Sequence, residues 1–308
     1  ATSFAMSAAE LFSVKPVPVP RWQAACIVVL GAGDVGSAVA HVLFRQGYTV
    51  LLVETEQPTS PRRGMCWVDA VFDGIAVLDH LSAVRVFHPA DAALAFARRI
   101  WLPLVVAPDL PLWLRQLGAQ VLVDARLRKH AAAQPDLRAL CGGAATAVGI
   151  GPGYTVGYNA DVVIESAWGD ELGRVLHVGS ARALAGEPRP ILGAGRERLV
   201  YAPQDGVFET SLRIGQAVEA GEVIGHVHTP EGEPLPLPAP LRGVLRGLTR
   251  SDVPVRRKTK LVEVDPRGDP ALCFGLGERP MRIAQGVLQT VEQVVGAAGA
   301  PAAQPHAA

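Results

Sequence analysis

Cys26-Ile-Val-Val-Leu-Gly-Ala-Gly-Asp-Val-Gly36 joins an unbroken apolar run to three closely spaced glycines. Cys26 to Leu30 is rich in β-branched residues, the pattern of a strand buried on both faces. Beyond the glycines, Val35, Val39, Val42 and Leu43 recur at helical spacing up to Gly47, which reads as a helix stop. Tyr48 to Val53 is a second buried strand. It ends at Glu54, 18 residues beyond Gly36.

Strand, glycine turn, helix and second strand, with an acid at its end, are the parts of a Rossmann-like nucleotide-binding unit. In such a unit Gly31 permits the tight turn, Gly33 lets main chain approach a pyrophosphate, and Gly36 lets the helix pack against the strand. The helix N-terminus supplies N–H donors and a partial positive charge, and Glu54 stands where a ribose-binding acid belongs. Asp34 is ambiguous: it caps the helix or repels a closely placed pyrophosphate.

The alternation continues with strands at Leu81–Phe87, Ile100–Ala107 and Gln120–Asp124, and helices at Asp91–Ala97 and Asp109–Leu117. Repeated β-α units predict a parallel, doubly wound sheet. Asp124 then lies at the carboxyl edge, where ligands bind in such sheets, either as a ligand group or as a cap or partner for Arg126. Between the second and third strands, Arg62 and Arg63 form a two-pronged clamp for a phosphate or carboxylate, or else a solvated pair. Val148 to Gly157 follows a short apolar stretch, Ala144 to Ile150. It holds Gly149, Gly151, Gly153 and Gly157, so main chain there approaches a ligand or another segment closely. Asn159, Asp161 and Glu165 follow it, as site groups or as turn and strand-edge polars.

From Val200 the texture changes to period two. Ala202-Pro-x-x-Gly206-Val207 recurs as Ala239-Pro-x-x-Gly243-Val244, an offset of 37 residues from Ala202 to Ala239, and Val218, Ile224 and Val227 match Val255, Leu261 and Val264 at the same offset. Neither copy buries its apolar face alone, so the two pair into one small β-sandwich or barrel. Gly215-x-x-Val218-x-x-Gly221-Glu222-x-Ile224 resembles the barrel-sandwich hybrid of lipoyl and biotinyl carrier domains. Those domains present a modifiable Lys on the hairpin joining the halves, whereas His228 to Pro234 contains none, which argues against lipoyl or biotin attachment. His226 and His228 share a strand face, and no third metal ligand is evident beside them. Arg279 to Val295 carries one helical apolar stripe, Ile283, Ala284, Val287, Leu288, Val291 and Val295.

The fold class expected is therefore α/β: a Rossmann-like doubly wound parallel sheet, a small duplicated β barrel-sandwich module and a C-terminal helix. The segments are an N-terminal extension (1–23), the nucleotide-binding domain with its glycine-loop extension (24–195), the β module (196–277), the helix (278–296) and a disordered tail (297–308).

The 29 basic and 29 acidic residues cancel, so no overall field favours nucleic acid or an anionic membrane. No segment approaches the roughly 20 apolar residues of a membrane span. Cys26, Cys66, Cys141 and Cys273 lie far apart and form no zinc or redox pair. With Pro16, Pro18 and Pro20 interrupting any leader-like core, the expectation is a cytoplasmic protein.

Taken together these pieces resemble the YqeB-like accessory proteins of selenium-dependent molybdenum hydroxylase systems. The resemblance spans about residues 25–295. It rests on Gly-Ala-Gly-Asp34 with Ala40-His-x-Leu-Phe44, on Glu54-x-x-Gln57-Pro58-Thr59-x-x-Arg62-Arg63, and on Asp69-Ala-Val-Phe-Asp-Gly74. It continues through Val123-Asp124-Ala125, Gly149-Ile-Gly-Pro-Gly153-Tyr-Thr-x-Gly157, Val163-Ile-Glu165, Gly173-Arg174-Val175, Ala202-Pro-x-x-Gly206 and Gly243-Val-Leu-Arg-Gly247.

The resemblance implies a maturation factor that binds a nucleotide or nucleotide-bearing molybdenum cofactor (molybdopterin or its dinucleotide form). Its implied partners are a molybdenum hydroxylase client or other maturation proteins. The cofactor-binding candidates are Gly31, Gly33, Asp34, Gly36, Glu54, Gln57, Thr59, Arg62, Arg63, Asp124, Gly151 and Gly153, with no metal ligands and no assigned catalytic residue. Cys66 departs from the family pattern and is either a thiol touching molybdenum or sulfur chemistry or a buried packing group. The competing reading is an NAD(P)-dependent oxidoreductase, warranted by the glycine turn and Glu54. Against it, His41 falls inside the first helix and His130 has no evident partner. A third is a scaffold with a vestigial pocket.

Overall fold

A computed structural model describes residues 25–128, 134–183, 188–230 and 232–299, with residues 297–299 described by backbone alone. The N-terminal extension, His130, Glu231 of the hairpin and residues 300–308 of the tail lie outside the described residues.

The apolar run becomes β1 (Cys26–Leu30), every residue of it buried, and the glycine turn feeds α1 (Asp34–Arg45). β2 (Thr49–Glu54) returns parallel to β1, with Cys26 opposite Thr49 and Leu30 opposite Val53. A short helix, α2 (Ala70–Asp73), leads into β3 (Ile75–Leu78) and β4 (Leu81–Val86), a hairpin absent from the sequence reading on its first arm. Its turn puts Asp79 and His80 at φ +48° and +62°, the geometry of a two-residue hairpin turn. Then follow α3 (Pro89–Arg98), β5 (Leu102–Val106), α4 (Leu110–Leu117), β6 (Ala119–Asp124), α5 (Leu137–Cys141), β7 (Thr146–Ile150), β8 (Val162–Ile164) and β9 (Val175–Leu176).

These strands form one nine-stranded sheet in the order β3-β4-β5-β2-β1-β6-β7-β8-β9, parallel except at its two edges. Apolar residues on one face of the strands pack with α1 and the C-terminal helix α6 (Glu278–Gly299), and those on the other with α3, α4 and α5. The chain leaves β1 toward β2 on one side and comes back to β6 on the other. The topology thus reverses between β1 and β6, whose carboxyl ends, at Leu30 and Asp124, lie side by side. The backbone of α6 runs on past Gly296, where the apolar stripe alone suggested a stop, to Gly299.

Residues 199–265 form two four-stranded antiparallel sheets, β10-β17-β15-β12 and β14-β13-β11-β16. The strands are β10 (Leu199–Tyr201), β11 (Gly206–Glu209), β12 (Ala217–Val218), β13 (Val223–His228), β14 (Leu235–Pro238), β15 (Gly243–Leu248), β16 (Val253–Val255) and β17 (Lys260–Asp265). The 37-residue offset maps β10 to β14, β11 to β15, β12 to β16 and β13 to β17, and so maps one sheet order onto the other. Each sheet takes two strands from each copy. The matched residues Val218, Ile224, Val227, Val255, Leu261 and Val264 are all buried in the shared core. No helix among the described residues is long and apolar enough to cross a membrane.

Gly36 is the tightest point of the turn: a Cβ there would lie 1.8 Å from the carbonyl oxygen of Gly31. Since backbone must shift to admit a methyl, Gly36→Ala is expected to cost about 3 kcal/mol or more, read as a lowered urea midpoint with unchanged m-value.

Candidate functional site

The glycine turn meets the β unit through one segment, Glu54 to Met65. Gly31 has φ +98°, the left-handed conformation that the tight turn requires. A Cβ on Gly33 would sit 2.9 Å from Ser60 Oγ, so the close approach that Gly33 permits is made here by the chain's own Ser60. Glu54 Oε2 accepts from the Ala32 N–H at 2.7 Å, which fixes the carboxylate beside the turn at the end of β2.

Arg62 forms the two-pronged clamp expected from its sequence, and the carboxylate it holds is internal. Nε and Nη2 donate to Glu263 Oε2 and Oε1 at 3.1 and 3.0 Å, while Nη1 donates to Asp34 Oδ2 at 3.0 Å. Arg63 does not join it. Its Nε donates to the Leu248 carbonyl at 2.8 Å and its Nη1 to Asp69, which docks the segment on β15. Leu248 N–H donates in return to the Pro61 carbonyl at 2.7 Å. The arginine pair is therefore split: Arg62 serves the glycine turn and Arg63 the interface. Gln57 is exposed and Thr59 half-buried, its carbonyl accepting from Thr249 Oγ1 at 3.4 Å, so neither joins the turn through any contact seen here.

Glu263 is fully buried and, besides Arg62, accepts from Arg198 Nη1 and Lys260 Nζ, both at 2.6 Å. Burial pushes its carboxyl up, but Arg62 and Lys260 outweigh this and hold it well below the usual carboxylate range. Asp34 follows the same logic. Burial raises it, and Arg62, Arg279 and Lys260 together bring it below its ordinary value. Of the two possibilities for Asp34, capping is not realised, because Gly33 holds the N-cap position without a side-chain cap and Asp34 Oδ1 accepts from the adjacent Val35 N–H at 3.0 Å; repulsion is countered by the neighbouring cations. Glu263, Lys260, Arg198 and Arg279 carry no motif in the sequence, and only charge in an otherwise apolar strand or helix marks them.

Asp124, at the carboxyl end of β6, is buried and is both cap and partner for Arg126, whose N–H and Nε each donate to Oδ1 at 3.0 Å; the Tyr154 hydroxyl, unmarked in the sequence, donates to Oδ2 at 2.6 Å. Burial raises the Asp124 carboxyl and Arg126 with Tyr154 more than reverses it, whereas burial and Asp124 push the Tyr154 phenol up.

The glycine loop's freedom serves internal packing. A Cβ on Gly149 would meet the Tyr154 ring at 2.2 Å, one on Gly151 would meet Ser166 Oγ at 2.6 Å, and one on Gly153 would meet Gln134 at 2.7 Å. Asn159, Asp161 and Glu165 are turn and strand-edge polars: Asn159 Oδ1 accepts from Thr155 N–H, Asp161 binds Arg138 and the Ala147 N–H, and Glu165 caps the N–H groups of Ser166, Ala167 and Arg182.

Cys66 is buried, and burial pushes its thiol up, so it remains protonated. His41 stacks on Trp67 and reaches Asp79, away from the turn. His228 pairs with Glu209, and the two strand histidines line an open groove of about 380 Å³ on the β unit. Among the described residues no group of three His, Cys, Asp or Glu is arranged to hold a metal.

Removing the charge of Glu263 strands three cations. Glu263→Gln is expected to destabilise by about 3–5 kcal/mol, read by urea unfolding at pH 7. Because the folded carboxyls of Asp34, Asp124, Glu263 and Asp265 lie below their ordinary values, their contribution is complete above the unfolded values. It is lost as pH falls below about 4.5 and on through the folded ones. The urea midpoint of the unaltered chain should therefore hold between pH 7 and 5 and drop steeply by pH 3, and the drop should be smaller in Glu263→Gln.

No protein-family model matches the chain. Solved structures give only slight likenesses. An aspartoacylase family protein from Mesorhizobium loti is 10% identical with a TM-score of 0.25, over 78% of this chain and 85% of that one. A succinylglutamatedesuccinylase/aspartoacylase from Rhodobacter sphaeroides is 27% identical with a TM-score of 0.21, over 22% and 21%. TM-scores this low do not establish a shared fold. In sequence, the chain is similar to the uncharacterized protein YqeB of Escherichia coli (strain K12), 32% identical over 265 residues. That is 86% of this chain and 47% of YqeB, so the chain spans about half the length of the curated relative it matches.

Proposed function

We propose that the chain is an accessory protein of a molybdenum hydroxylase system, binding a nucleotide or the nucleotide-bearing molybdenum cofactor at the Rossmann-like glycine turn and assisting its modification or delivery. The observation that carries this reading is the Arg62 bridge between Asp34 and Glu263. It sets a guanidinium against the carboxylate of the turn, so that the charge of Asp34 is countered where phosphate oxygens would lie. The molybdenum assignment itself comes from the motif resemblance to YqeB-like accessory proteins.

Of the residues present, Arg62 and the first turn of α1 suit the phosphate end of such a cofactor, while Ser60 stands against Gly33 and Glu54 already takes the Ala32 N–H. The chain offers less to the metal end, since Cys66 is buried with its thiol pushed up. When bound, the cofactor would supply the molybdenum and sulfur chemistry. The chain would hold its phosphates through Arg62 and the first turn of α1, with Glu54 beside the ribose.

Among the described residues near the turn, Asp34 and Asp124 are ion-paired with carboxyls held below their ordinary values, and the Tyr154 phenol is bound to Asp124 and pushed up. These three are not poised as proton donors or acceptors near neutral pH, which favours cofactor handling over hydride transfer. Glu54, at the end of β2, is the observation that favours the second reading, an NAD(P)-dependent oxidoreductase preferring NAD.

The test combines mass spectrometry of small molecules co-purifying with the native chain and calorimetric titration with molybdopterin dinucleotide, NAD⁺, NADH and NADPH. Release or saturable binding of the pterin dinucleotide is the expected result. Tight NAD binding with turnover of a small substrate would replace the proposal with the oxidoreductase reading, and binding of neither would reject both.

A further inference from the structure

The 37-residue offset maps the sheet β14-β13-β11-β16 onto β10-β17-β15-β12, so a place on one sheet has a counterpart on the other. On β15 and β17 one such place is taken by the segment that follows β2. Leu248 N–H donates to the Pro61 carbonyl at 2.7 Å, the Leu248 carbonyl accepts from Arg63 Nε at 2.8 Å, and Glu263 takes Arg62. At the same offset Leu248 corresponds to Ser211 and Glu263 to His226, and both of these line the open groove of about 380 Å³ on the other sheet.

The counterpart keeps the layout and inverts the charge. Arg246 on β15 pairs with Asp265 on β17, and at the offset Glu209 on β11 pairs with His228 on β13. Two cations of the β unit, Arg198 and Lys260, neutralise Glu263, whereas Leu235 and Val223 stand at their counterparts. Glu209, across from His226, is engaged by His228. Among the described residues His226 makes no hydrogen bond or ion pair, only a tilted ring contact with His228. Ser211 is exposed, and its N–H and carbonyl, unlike those of Leu248, have no partner among the described residues.

We infer that this groove docks an extended segment of a partner protein, seated as residues 59–63 are seated on the other sheet. Its main chain bonds to Ser211, and a carboxylate side chain meets His226 where Arg62 meets Glu263. Main-chain bonds of this kind supply affinity in the recognition of extended peptides, and the side-chain contact supplies specificity. The carboxylate follows from the inverted charge: a neutral imidazole donates an N–H to it, and a protonated one adds charge attraction. Exposed Val223 gives the segment apolar surface in the same groove. This goes beyond the proposed function, since it concerns a protein partner and holds whichever small molecule the glycine turn takes.

The test is calorimetric titration of the full chain at low ionic strength with two capped synthetic peptides, residues 57–64 of this chain unaltered and the same stretch carrying Arg62→Glu. The titrations are repeated on His226→Ala and His226→Glu, with thermal melts to establish that each variant is folded. His226→Ala keeps the test valid should His226→Glu fail to fold. The expected result is saturable binding of the Arg62→Glu peptide, about tenfold or more tighter than that of the unaltered peptide. That preference should be lost in His226→Ala and reversed in His226→Glu, which restores the charge of the Glu263 counterpart. Absence of saturable binding by the Arg62→Glu peptide, equal affinity for the two peptides, or a preference unchanged in the His226 variants overturns the inference.

Discussion

The fully buried carboxylate of Glu263 is the point on which the arrangement of the two units depends. It sits on β17, yet one of its cations, Arg62, belongs to the segment leaving β2, and that same guanidinium reaches Asp34 at the start of α1. A single planar group thus ties the glycine turn to the β unit through bidentate geometry that a lysine could not supply. An ion pair buried this deeply adds little net stability over a well-packed apolar alternative. Arg198 and Lys260 neutralise Glu263 from within the β unit, and Arg62 adds the link that fixes this carboxylate against the glycine turn.

The rest of the interface follows that constraint. Arg63 and Pro61 exchange hydrogen bonds with Leu248 on β15, and Arg250 pairs with Asp73 at the end of α2, a second link between the units. Gly64 packs against Cys273 and Phe274, where a Cβ would lie 2.6 Å from the Cys273 carbonyl oxygen. The strand exchange within the β unit serves the same end, since it puts Lys260 and Glu263 of the second copy beside β10 and Arg198 of the first. A duplicated unit that kept its copies separate would not bring these residues together.

What could be read from the sequence is what local periodicity and steric need impose. β1, α1 and β2 were legible because a buried strand, a helical stripe and a left-handed Gly31 each leave a mark within a few residues, and the 37-residue offset marked the repeat. The other site residues were hidden for a physical reason: their partners are far away along the chain. Arg62 read as a clamp, but its carboxylate lies 201 residues on. Arg279 read as the head of an apolar stripe, with nothing to show that its guanidinium would turn back to Ser166. The glycines of the 149–153 loop were legible as places of close approach, although not as seats for Tyr154, Ser166 and Gln134.

Asp34 shows why the two levels must be joined before function is argued. In isolation, an aspartate directly after a phosphate-type turn counts against an anionic ligand. With Arg62, Lys260 and Arg279 around it, the charge of the same carboxylate is countered and it holds Arg62 in place. A ligand phosphate would then meet a prearranged guanidinium instead of a mobile side chain, so less conformational entropy is lost on binding. The carboxylate at the turn and the arginine beyond the next strand are one device, and neither has its meaning without the other.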